Sequence, residues 1–197
     1  MVVANKIIEG QFIRLKAISE DDALEVYRWR TSESGMYLNQ PSGYDVESQR
    51  QWIKNKAHSE SEINFIIYSK ESNEKVGMIS ILDIDNKNKR AEVGRLLLDV
   101  KYLNVSNPFG LEALKITYDI VLNKWGLNKI YGSISSANEN MIKLQRYLGM
   151  EEEGVLRNHL LYNGNLVDLH LFSLFAAQIN SKYLPRINFL LKSFTSK

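Results

Sequence analysis

The chain has 197 residues, 44% hydrophobic and 24% charged, with a formal net charge of +2. That length suits one domain with a full core, and the near-neutral balance gives no electrostatic footprint for nucleic acid. Cysteine is absent, which excludes disulfides and thiolate metal sites, and His58, His159 and His170 lack metal-ligand spacing. No run approaches the roughly 18 apolar residues of a spanning helix. The opening MVVANKIIEGQFIRL carries no basic segment followed by an apolar core and a cleavage site, so a cytoplasmic location is expected.

Residues 11–15 alternate apolar and polar, a strand pattern. Ser19-Glu20-Asp21-Asp22 caps a first helix, with carboxylates where the helix dipole favours them. That helix carries Ala23, Leu24, Tyr27 and Trp29 and ends near Thr31; a turn-rich connection with Gly35, Pro41 and Gly43 follows. Asp45 opens a second helix, DVESQRQWIKNKAH. Residues 63–69 and 76–84 read as a hairpin, and residues 92–100 as an apolar strand holding Val93, Leu96, Leu97 and Leu98. After a turn at 102–107, a long helix starts near Pro108 and runs to about Lys124, with Leu111, Leu114, Tyr118 and Val121 on one stripe. Residues 129–135 form the next strand, parallel to 92–100 because a helix crosses over between them. A helix at 138–148 closes on Gly149, and strands at 150–156 and 167–175 flank the turn Tyr162-Asn163-Gly164-Asn165. The order β-α-α-β-β-β-α-β-α-β-β predicts an α+β protein: a mixed, mostly antiparallel sheet with helices on both faces. Within it, the strand-turn-helix unit of residues 91–124 can hold an anion, because the first helical N–H groups lack intrahelical partners.

Several short pieces occur in a telling order: Tyr27-Arg28-Trp29-Arg30, Ala91-Glu92-Val93-Gly94, Gly110-Leu111-Glu112-Ala113-Leu114, Asn138 with Leu148-Gly149-Met150, Glu153-Gly154-Val155-Leu156-Arg157, and Val167-Asp168. Together they resemble the GNAT superfamily of N-acetyltransferases, in the subgroup of ribosomal-protein and amino-sugar acetyltransferases. The resemblance covers residues 11–176, taken as the GNAT domain within 1–176, and leaves 177–197 as an extension. It implies acetyl-coenzyme A as co-substrate and a primary amine as acceptor. It also implies that the central strand splays from its parallel neighbour, so that pantetheine bonds to the backbone of Leu96, Leu97 and Leu98. The diphosphate would rest on Ser106, Asn107 and the N–H groups of Phe109, Gly110 and Leu111. Here the sequence departs from the family's glycine-rich turn: of Val105, Ser106, Asn107, Pro108, Phe109 and Gly110, only Gly110 fits the pattern. Asn107 as N-cap with Pro108 at the first helical position still makes a sound helix start.

Transfer to an amine requires a base, an oxyanion donor and stabilisation of the departing thiolate. Glu92, at the start of the central strand, is the candidate base; it could equally be an ion-pair partner of Arg90, Arg95 or a lysine. A backbone N–H near Leu97 is the oxyanion donor that the resemblance implies. Where the family has a tyrosine acid, this chain has Gln145, so either the thiolate leaves with solvent help or another tyrosine, such as Tyr102 or Tyr118, reaches in. Asn138 matches an asparagine near pantetheine and also reads as a helix N-cap. Arg28, Arg30, Tyr37 and Tyr44, with Arg157 and His159 from the last hairpin, would suit an anionic acceptor. The nucleotide-linked amino sugars of surface glycan synthesis come first, ahead of protein N-termini and of a non-catalytic binding domain. The extension, with Tyr183, Leu184, Ile187, Leu190, Leu191 and Phe194, is assigned to self-packing or homodimerisation ahead of membrane contact, its helix starting at Pro185.

Overall fold

A computed structural model describes residues 7–38, 43–57, 59–103 and 106–195; Pro41, His58 and Val105 lie outside them. Its strands are β1 (Ile8–Glu9), β2 (Ile13–Ala17), β3 (Ile63–Ser69), β4 (Lys75–Asp85), β5 (Arg90–Leu98), β6 (Lys129–Ser135), β7 (Glu151–Tyr162) and β8 (Asn165–Phe175). They form one sheet in the order β1-β2-β3-β4-β5-β6-β8-β7. Each neighbouring pair is antiparallel except β5 and β6, which run parallel through the crossover helix α3 (Phe109–Asp119). The α+β GNAT arrangement expected from the sequence is present.

Strand alternation divides the sheet between two helical layers. On β3, Ile66 joins Val26 and Trp29 of α1 (Ala23–Thr31), together with Met78 and Leu97. Its neighbours Phe65 and Ile67 face the larger core beneath α3 and α4 (Glu139–Leu148). Helix α2 (Val46–Lys56) packs beside α1; Asp45 and Ser48 bond each other's backbone N–H groups in a reciprocal cap. α4 ends on Gly149 at φ 99°, a left-handed position that suits glycine.

α3 is locked to the sheet by a buried carboxylate. Glu112, 2% exposed, accepts from the backbone N–H groups of Gln11, Phe12 and Ile13 at 2.6, 2.7 and 2.8 Å.

Three boundaries differ from the sequence reading. β5 ends at Leu98, because Asp99 accepts from the Trp29 indole and from the amide of Lys101 in a short helical turn. β7 continues to Tyr162, because the register shift between Leu156 and Leu160 absorbs residues 157–159 in a bulge. In the extension, helical turns begin at Ala176 with α5 (Ala176–Gln178), upstream of α6 (Leu184–Lys192) and Pro185. A π turn spans Ile179–Tyr183, and Pro185 sits in the first turn of α6, where its missing N–H costs little. The extension packs on its own domain: Ile179, Tyr183, Ile187 and Leu191 are buried, and Tyr183 stacks on Tyr118 at 4.5 Å. No helix among the described residues is long and apolar enough to cross a membrane.

Candidate active site

The parallel pairing of β5 with β6 lasts three residues and stops at Glu92 opposite Tyr131. Beyond that point the strands part. The last close approach is at Gly132, where a Cβ would lie 3.3 Å from the Val93 carbonyl. The opening is a cleft of about 150 Å³ between Val93–Leu97 and 132–135, floored by Tyr118, Gln145, Met150 and Phe172. Ser34, Tyr37 and Leu38 of the α1–α2 connection also line it.

A bulge shapes the β5 wall. Met78 pairs with Leu97 and Ser80 with Gly94, so β5 holds one extra residue here, and Arg95 adopts φ 50°. The insertion reverses the strand's alternation: Val93 faces the α3 core, whereas Leu97 faces α1. It also directs Arg95 toward α2, where its guanidinium pairs with Glu62 and lies 5.2 Å from the Trp52 ring centroid.

Of the residues expected to hold the cofactor, Leu96, Leu97, Asn138 and Gln145 line the cleft. The amide of Leu98 donates to Ser34 Oγ at 3.1 Å. Gly110 packs its backbone against Leu96 and Leu98, so α3 begins beside this wall. One expected anion-binding amide is occupied: Asn107 Oδ1 accepts from Phe109 N–H at 3.1 Å while its amide donates to the Tyr102 carbonyl at 2.8 Å. The helix starts one residue later than expected, with Pro108 rather than Asn107 at the N-cap, and the local bond from Asn107 removes Phe109 from the anion site. Gly110 and Leu111 have no amide acceptor among the described residues. Ser106 is exposed just before the helix. Asn138 caps α4 through Met141 N–H at 3.3 Å while also facing the cleft. Gln145 is 4% exposed and its Oε1 has no hydrogen-bond partner.

Glu92 lies on the sheet face that α1 and α2 cover farther along, beside an open hollow with Lys129, Tyr131 and Ser133. The anticipated ion pairs do not form: Arg90 pairs with Asp85, and Arg95 with Glu62. The Glu92 carboxylate makes no hydrogen bond or ion pair among the described residues. Its Oε1 leans over Gly94, 3.4 Å from where a Cβ would stand. Burial raises its pKa above the ordinary value, Asp83 raises it further, and Arg95 opposes them. A carboxylate moved toward neutral pH is a better proton acceptor.

The two tyrosines separate. Tyr102 donates its hydroxyl to Glu74 at 3.1 Å, outside the cleft. Tyr118 is buried in the cleft floor, its hydroxyl 3.3 Å from Met150 Sδ. Among the acceptor candidates, Tyr37 lines the cleft and stacks on Tyr162 of β7 at 5.5 Å. Arg30 and Tyr44 line a separate cavity. Arg28 is exposed, and Arg157 and His159 are exposed on the β7 bulge; none of the three lines either space. Sequence reasoning missed Ser34, Gln49, Trp52 and the placement of Arg95. For Gln49 and Trp52 the available signal was polar and aromatic spacing on α2, which reads equally as a solvated helix face.

Comparison with known proteins agrees with this geometry. The profile of the acetyltransferase (GNAT) domain family matches residues 13–151. The uncharacterized N-acetyltransferase p20 of Bacillus licheniformis is 31% identical over 165 residues, covering 82% of this chain and 90% of that protein. The uncharacterized N-acetyltransferase YoaA of Bacillus subtilis (strain 168) is 24% identical over 172 residues, covering 85% and 96%. Among solved structures, a GCN5-related N-acetyltransferase from Brucella melitensis superposes with a TM-score of 0.74 at 19% identity, covering 98% of this chain and 86% of that one. A spermidine N-acetyltransferase SpeG chimera from Vibrio cholerae and hSSAT gives 0.78 at 16%, covering 87% and 100%; at such identities the likeness concerns the fold. The chain belongs to the GNAT acetyltransferase family. It is an acyltransferase of the acetyl-CoA-dependent class.

Proposed function

We propose that this chain moves an acetyl group from acetyl-CoA to a primary amine of a small cytoplasmic acceptor, foremost a nucleotide-linked amino sugar. The observation that carries the reading is Glu92: a partly buried carboxylate without an ion pair among the described residues, at the point where β5 and β6 part. The cleft between the two strands would hold pantetheine, and the amides of Gly110 and Leu111 would hold the diphosphate. Glu92 takes a proton from the acceptor ammonium, directly or through water. The amine nitrogen then attacks the thioester carbonyl, the C–S bond breaks over the Tyr118–Gln145 floor, and the second proton of that nitrogen passes through solvent to the departing thiolate. The products are the acetamide, coenzyme A and one proton.

Calorimetry with acetyl-CoA tests the cofactor half; no heat at millimolar ligand refutes it. Thiol release across aminated nucleotide sugars and N-terminal peptides then identifies the acceptor, and turnover of peptides alone would reassign the substrate. Glu92→Gln should lower turnover by about 10²- to 10⁴-fold, the usual contribution of a positioned base, with acetyl-CoA affinity kept. Unchanged turnover removes Glu92 as the base.

A further inference from the structure

On the sheet face where α1 packs over β4 and β5, the strands beyond carry an apolar strip of their own. Strand pairing fixes which side chains share that face. Glu92 stands opposite Tyr131, and Ser133 opposite Leu171; on the last hairpin, Leu169 faces Leu156 and Val167 faces Leu160. Alternation along β6 and β8 puts all of them on one side. Leu171, Leu169, Leu156, Val167 and Leu160 therefore lead away from Glu92 toward the tip of the hairpin. None of the five belongs to either core cluster. Leu156 is 39% exposed, and the other four are half-buried.

The strip meets the candidate site at a hollow of about 370 Å³ whose lining includes Glu92, Tyr131, Leu169 and Leu171. That size suits a small ligand. The hollow shares Gly132, Ser133 and Phe172 with the cleft, so the two spaces adjoin where β5 and β6 part. Charge narrows the ligand further. Lys129 is paired with Glu153 at 2.7 Å, and Arg90 with Asp85 at 3.5 Å. Arg90 also lies 5.3 Å from the Tyr131 ring centroid, and the Tyr131 hydroxyl donates to Asp83 at 3.0 Å, so this ring is a fixed wall. Of the four charged residues lining the hollow, Glu92 is the one without an ion pair among the described residues. A single carboxylate beside leucines offers its charge to one cation and apolar surface to the rest of the same molecule.

We propose that the hollow and the strip receive the body of the acceptor: an ammonium at Glu92 that bears an apolar chain or ring face lying over Leu171, Leu169 and Leu156. The substrate role rests on the transferase reading above; the binding of an apolar ammonium does not. Such a site selects amines with an apolar group next to the nitrogen. It disfavours polyamines, whose further ammonium groups would lie over leucines without a counter-charge. A second copy of the chain is the rival occupant of an exposed apolar face, and seated there it would close the hollow over Glu92.

The test measures kcat/KM by thiol release at saturating acetyl-CoA for n-propylamine, n-butylamine, n-pentylamine and n-hexylamine, with spermidine alongside. We expect a rise of about two- to fourfold for each added methylene, and so about tenfold or more across the series. Leu169→Thr should flatten that rise. Leu156→Thr, on the exposed edge strand and safer for folding, should reduce the gain for n-hexylamine. A flat series, spermidine as good as n-hexylamine, or a rise unchanged in both variants overturns the proposal. So does a dimer in sedimentation that either substitution dissociates, which would give the strip to a second copy. If no amine releases thiol, the transferase reading fails, and calorimetry with n-hexylamine in the absence of acetyl-CoA judges the hollow separately. Saturable binding that weakens about tenfold in Glu92→Gln and also in Leu169→Thr supports the site; no binding, or binding indifferent to both, overturns it.

Discussion

Glu112 provides the sharpest test of how this fold holds its helix in place. Its carboxylate supplies three backbone bonds at once: Oε1 accepts from Gln11, and Oε2 from Phe12 and Ile13. Substitution by alanine orphans all three donors, but not equally. Gln11 is exposed and regains water, Phe12 is half-buried, and Ile13 is fully buried. A hydrogen bond to a charged acceptor contributes about 1.5–3 kcal/mol, and a buried unpaired donor keeps its full desolvation cost. Counting Ile13 in full, Phe12 in part and Gln11 hardly at all gives a loss of about 3–5 kcal/mol for Glu112→Ala. That is a large share of the stability of an ordinary domain. For a chain of this size it corresponds to a fall in Tm of about 10 °C. Glu112→Gln keeps the shape and one acceptor oxygen, yet turns an NH₂ group toward at least one backbone N–H, and should lose about 2 kcal/mol. Thermal unfolding of the three proteins by calorimetry at pH 7 is the assay. A fall below about 2 °C for the alanine variant, or a glutamine variant as stable as the wild-type chain, would refute the claim that both oxygens are engaged by backbone.

Other predictions concern the cleft. Asp83 raises the Glu92 pKa after burial has done so; Asp83→Asn removes that negative charge and lowers the pKa. Glu92 then stays ionised to lower pH, and the acidic limb of the pH profile of kcat/KM should move to lower pH. A limb that stays in place, or moves upward, excludes Glu92 as the titrating base. Ser34 Oγ accepts the Leu98 amide at the wall where pantetheine is proposed to bond. Ser34→Ala exposes that amide without competition, so the KM for acetyl-CoA should fall about two- to tenfold, the worth of one ordinary hydrogen bond. An unchanged or higher KM would mean that the serine need not move.

Much of the fold was legible because local chemistry and tertiary structure agree. Asp45, Asn138 and Gly149 mark helix ends through caps that form within a few residues, so α2 and α4 lie where the sequence puts them. The long helical crossover lets β5 and β6 run parallel, and that places Glu92 at the mouth of their separation. What stayed hidden depends on partners far along the chain. Arg95 adopts a left-handed backbone that nothing in its own neighbourhood announces. Its guanidinium is held by Glu62, 33 residues away, and by Trp52. The sequence reading treated Arg95 only as a possible counter-ion for Glu92, and the bulge turns it instead into a wall shared by two cavities. Asn107 shows the converse: residue type suggested an N-cap, but Pro108 takes that place, and the Asn107 side chain consumes the Phe109 amide expected to meet an anion. A side chain that binds the first helical amide cannot also leave it open, so the phosphate-facing surface of α3 narrows to Gly110 and Leu111.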